Sequence, residues 1–109
     1  MSNGLEPLAE AVERAQHLLA DYGDSATAPG LSGLIERLRS GDDSAVVSAL
    51  SEATGSMGSL NDRWLCPENG DRISSSDVVA VNDRLSKLVR DIEIQARSVA
   101  AERGIHLVR

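Results

Sequence analysis

Apolar residues recur along most of this chain at steps of three and four, the period of a helix with one buried face. Leu8, Val12, Ala15, Leu19 and Tyr22 fall on one stripe and predict a first helix over about residues 7–22, with Pro7 in its first turn and Gly23, Asp24 and Ser25 ending it. Pro29 suits the opening of a second helix carrying Leu31, Leu34, Ile35 and Leu38, and Gly41 suits its end. Asp42, Asp43 and Ser44 offer side-chain caps for a short third helix with Val46, Val47, Leu50 and Ala53 on its apolar side. The longest pattern is Val78, Val81, Leu85, Leu88, Val89, Ile92, Ala96 and Val99, which predicts a fourth helix of about seven turns ending at Gly104. Ser74 or Ser76 is placed to cap it, and Ser74 with Asp77 approximates a capping box. Asp83 with Lys87 and Glu93 with Arg97 are acid-before-base pairs on its opposite side. The expectation is one all-α domain over residues 1–109: a bundle of about four helices, with the last as its spine.

The periodicity lapses over residues 55–73. Glycines and serines make its first part a loop. Residues 63–66 and 71–73 read as short extended arms around a Pro67-Glu68-Asn69-Gly70 turn, so a small β-hairpin is expected there. Arms this short must lean on the bundle, through Leu60, Trp64, Leu65 and Ile73.

Composition agrees with a helical core: the chain has no Phe, one Trp and one Tyr, so Leu, Val, Ile and Ala must fill the interior. A single cysteine, Cys66, excludes an intramolecular disulfide and argues against a cysteine zinc site. The opening Met1-Ser2-Asn3-Gly4-Leu5-Glu6 lacks the basic and apolar segments of a secretory signal, and the expected compartment is the cytoplasm. Charge is uneven. Residues 1–54 hold nine acids against three bases and residues 55–109 hold eight of each, so the net charge of -6 belongs to the first half. Such a surface disfavours nucleic acid and anionic membranes and favours a basic protein partner.

The string Gly55-Ser56-Met57-Gly58-Ser59-Leu60-Asn61-Asp62, then Pro67, Asn69-Gly70 and Val81-Asn82-Asp83-Arg84-Leu85, resembles a family of small bacterial proteins known as a domain of unknown function. Its pattern is a Gly-x-Met-Gly-Ser-x-Asn-Asp loop followed by a Val-Asn-x-Arg-Leu helix. The resemblance spans about residues 30–103. Ser56 stands where a second glycine is usual, and Arg63-Trp64 where aliphatic residues are usual. It implies a helical fold and no activity. Small acidic proteins of this type are similar in kind to immunity proteins that neutralise bacterial toxins.

Catalytic patterns do not assemble. The Gly-x-x-Gly loop has no Lys after it and no strand before it, so the glycines read as turn formers and not as a phosphate cradle. His17 and His106 have no nucleophile in a recognisable motif, and Asp62, Glu68 and Asp71 lack calcium-loop spacing and read as solvated turn acids. No catalytic, cofactor or metal residue is assigned. Cys66, with Arg63 and Arg72 nearby, reads as a small packed hydrophobe. Asn61, Asp62 and Asn82 are expected to tie the loop to the fourth helix through side-chain hydrogen bonds. Trp64 has two readings, a plug between hairpin and bundle, which is favoured, or an interface anchor. Two functions follow. One is an antitoxin-like inhibitor binding a basic toxin domain through Glu36, Asp42, Asp43, Asn61, Asp62, Arg63, Trp64 and Glu68. The other is a module that pairs with itself through the stripe of the fourth helix or the tail at 105–108.

Overall fold

The structure is a computed structural model, and it describes residues 4–24, 27–55, 60 and 63–107. Among the described residues five α-helices follow in order: α1 (Glu6–Asp21), α2 (Thr27–Gly30), α3 (Ser32–Arg39), α4 (Asp43–Leu50) and α5 (Val78–Arg103). No strand occurs among the described residues.

The apolar stripe of α1 is buried along its length, Leu8, Val12, Ala15 and Leu19 among it, with Pro7 in the first turn. The helix ends in a Schellman motif: the Gly23 N–H donates to the Ala20 carbonyl at 3.1 Å and the Asp24 N–H to that of Leu19 at 3.0 Å. Gly23 takes the left-handed φ of +84° that this closure demands. Its missing side chain also makes room, because a Cβ there would lie 2.8 Å from Nε of Arg72.

The second predicted helix is divided in two. Pro29 lies inside the single turn of α2, and α3 starts only at Ser32, after Leu31 has turned into the core. Two side chains hold that turn: the Thr27 N–H donates to Asp24 at 2.7 Å, and Nε2 of Gln16 donates to the Ala28 carbonyl at 2.8 Å. The third helix matches expectation, with Oδ1 of Asp42 accepting from the Ser44 N–H at 2.9 Å as its N-cap. It continues as one wide π turn, Ser51–Gly55.

α5 is the spine, packed against α1 and α4, while α3 packs on both of those shorter helices. Val81, Leu85, Val89, Ile92, Ala96 and Val99 are buried, whereas Val78 and Leu88 are half-buried at the margin of the stripe. Gly104 closes the helix at φ +67°, and Ile105 and Leu107 fold back against the core. The stripe is therefore interior, which removes it as a self-pairing surface. The start of α5 departs from the capping-box reading. Ser75–Asp77 form a 3-10 turn, Asp77 is the N-cap without a side-chain cap, and Ser74 Oγ donates to the Asp77 carboxylate at 2.9 Å. The two i, i+4 pairs form as read, Lys87 to Asp83 at 3.2 Å and Arg97 to Glu93 at 3.3 Å.

Candidate partner-binding surface

Where a hairpin was expected, residues 63–74 form an irregular connector. A ladder needs the backbone groups of its two arms, and here most of those groups are taken by other partners, with the Asp71 N–H to the Cys66 carbonyl at 3.4 Å as one backbone bond between the arms. Asn82, buried in α5, accepts from the Leu65 N–H at 2.8 Å and donates to the Leu65 carbonyl at 2.7 Å and to that of Val78 at 2.7 Å. The Cys66 N–H donates to Oδ2 of Asp71 at 3.0 Å, and the Arg72 N–H donates to the Tyr22 carbonyl at 2.7 Å. Pro67–Asn69 form a 3-10 turn, with Gly70 beyond it at φ +85°.

Arg63 clamps this connector to the end of α1. Its Nε donates to Asp24 at 3.2 Å and its Nη2 to Asp71 at 2.6 Å, while Nη1 reaches the Trp64 carbonyl at 2.8 Å. The two carboxylate side chains retain only 3% and 4% of their exposure. Burial of the Arg63 guanidinium pulls its pKa down, but the hydrogen bonds and charges of Asp71 and Asp24 outweigh this and hold it above its ordinary value. A pair so desolvated and so fully bonded fixes the local backbone. Asp71 is thus an internal ligand of Arg63, where a solvated turn acid was expected, and Arg63 is a clamp with little reach toward solvent. The sequence offered no sign of Asp24, 39 residues before Arg63.

Leu60, Leu65 and Ile73 are buried as expected, but Trp64 is 52% exposed. The reason is alternation along an extended stretch: with Leu65 turned inward and bonded to Asn82, the side chain before it must face out. The favoured core reading of Trp64 is overturned. Glu68 is exposed on the adjoining turn, whose Asn69 side chain donates to the Trp64 carbonyl at 3.0 Å. Cys66 is half-buried. Asn61 and Asp62 lie outside the described residues, as do Ser56, Met57, Gly58 and Ser59 of the Gly-x-Met-Gly-Ser motif.

The remaining predicted contacts lie elsewhere. Glu36 is exposed on α3. Asp42 is half-buried, capping α4 and paired with Arg37 at 3.1 Å, and Asp43 pairs with Arg103 of α5 at 2.7 Å. Glu6 and Glu13 share Arg39. Among the described residues, Glu10, Asp21, Glu36, Glu52, Glu68, Asp77 and Glu102 have no ion pair. The unpaired acids are therefore spread over α1, α3, the π turn, the connector and both ends of α5, and the α4 cap that the sequence pointed to carries little of the free acidic charge.

Beside the clamp, an open cleft of about 300 Å³ is lined by Gln16, His17, Gly23, Ala28, Pro29 and Arg72, among others. No group of three or more metal-ligating side chains occurs among the described residues, and no helix there is long and apolar enough to cross a membrane. The chain matches no family model, no curated protein and no solved structure.

Proposed function

We propose that the chain is a cytoplasmic protein-binding module of the immunity-protein kind, which seats its connector on a basic toxin domain and occupies that partner's active cleft. The observation that carries this reading is Trp64, a large aromatic ring half in solvent on a backbone fixed by the Arg63 clamp and by Asn82. Interface anchors are enriched in Trp, and a rigid support reduces the ordering entropy lost on binding. Glu68 beside it and the free acids of α1 and α3 supply the sign of the field that steers a basic partner.

Rate and affinity separate in this scheme. Capture from the native host, followed by binding kinetics at several salt concentrations, tests it. Trp64→Ala raises the dissociation rate about thirtyfold, the equivalent of about 2 kcal/mol. Reversing Glu10 and Glu36 slows association and flattens its salt dependence, with little change in dissociation. Equal dissociation of Trp64→Ala and wild type, or capture of nothing except the chain itself, overturns the reading.

A further inference from the structure

We propose that the outer face of α5 is a docking surface for a second copy of this chain, the two helices running antiparallel about a two-fold axis between Ser86 and Lys87. Opposite its buried stripe, α5 presents Val79, Asp83, Ser86, Arg90 and Ile94 on one exposed line, at helical steps of three and four. Val79 is 76% and Ile94 58% exposed, and together with Trp64 they are the exposed large apolar side chains of the described residues. Arg90 has no ion pair among the described residues, and Asp83 has only its solvent-exposed pair with Lys87.

The spacing is self-complementary. Val79 and Ile94 stand equally far from the point midway between Ser86 and Lys87, and so do Asp83 and Arg90. In an isologous antiparallel pair, residues equidistant from the axis meet, each contact occurring twice. Val79 therefore meets Ile94 of the second copy, and Asp83 meets its Arg90. Ser86, small and the residue of this line nearest the axis, lets the helices approach. A parallel pair in register sets Asp83 on Asp83 and Arg90 on Arg90, so charge selects the antiparallel arrangement. This surface is separate from the connector and does not depend on what the connector binds.

Sedimentation equilibrium of the purified full-length chain, from about 10 μM to about 1 mM at low salt, reads the association directly. A monomer–dimer equilibrium that weakens with salt is expected, with Ile94→Ala raising the dissociation constant about tenfold. Asp83→Arg alone sets Arg against Arg across the axis, and Arg90→Asp alone sets Asp against Asp, so each variant is monomeric. Mixed together they pair, because each then offers the charge that the other lacks. All three positions are exposed, so circular dichroism stays that of wild type, and Trp64→Ala dimerises normally. A monomer throughout the concentration range, or a dimer indifferent to the single reversals, overturns the proposal, and so does failure of the mixture to associate.

Discussion

A single amide, Asn82, does the work that a neighbouring strand would do for Leu65. It accepts from the N–H, donates to the carbonyl, and still reaches the Val78 carbonyl in its own helix. The two bonds to Leu65 are made between groups shielded from water, so losing the side chain leaves two buried backbone groups unsatisfied at once. Asn82→Ala is expected to cost about 1–3 kcal/mol, read as a lower denaturation midpoint with unchanged slope. Asn82→Asp keeps an acceptor for the N–H and loses both donors, so it stays destabilised even though its shape is conserved. An Asn82→Ala protein as stable as wild type is incompatible with this role. The sequence placed Asn82 at the border of the apolar stripe and within reach of the preceding loop, because helical spacing fixes the face on which a residue sits. It could not name Leu65 as the partner, since that pairing depends on how an aperiodic segment crosses α5. Trp64 was misplaced for the same reason: in the connector no period said which of two adjacent apolar residues turns inward.

At the scale of whole elements, periodicity told most of the story. α1, α4 and α5 occupy nearly the spans read from their stripes, and α1, α3 and α5 are followed by the glycines that the pattern marked, Gly23, Gly41 and Gly104. Periodicity does not grade burial within a stripe, however. Leu88 and Ile92 are one turn apart on the same apolar face, yet Ile92 is 1% exposed and Leu88 only half-buried. Ile92→Ala leaves a closed cavity and is expected to cost about 2–5 kcal/mol, while Leu88→Ala opens toward solvent and costs less than about 2 kcal/mol. Equal losses at the two sites in parallel chemical denaturations contradict the placement of α5. The hairpin was illegible in the opposite sense. Turn residues between two short apolar segments are the ordinary hairpin signal, but that signal does not reveal that Asp71, Asn82 and Tyr22 already hold the backbone groups a ladder requires.

Over the whole molecule, the excess of acid in the first half was legible by counting, while its neutralisation was not. Asp43 meets Arg103 from the far end of the chain, and Arg39 of α3 gathers Glu6 and Glu13 of α1. These contacts leave a mark on titration. The hydrogen bond from Arg39, backed by its charge, holds the Glu13 carboxyl below its ordinary pKa, and the Ser44 hydroxyl followed by Arg37 does the same for Asp42. A folded-state pKa below the unfolded one means that the unfolded chain takes up protons first as the solution is acidified, so stability rises with pH through that window. The contribution of both groups is complete above the unfolded value of about 4 and fades as pH falls through their lowered folded values. Both lie at the surface, so salt screens the effect and its size is small. Thermal unfolding from about pH 7 down to about pH 2 is expected to show a plateau in the neutral range and a decline below about pH 4. In Arg39→Gln the Glu13 carboxyl loses the guanidinium that held it down, so the plateau lies lower and the acid decline is shallower. An Arg39→Gln profile parallel to that of wild type through the acid range means that the Arg39 bridge between α1 and α3 carries no linked proton.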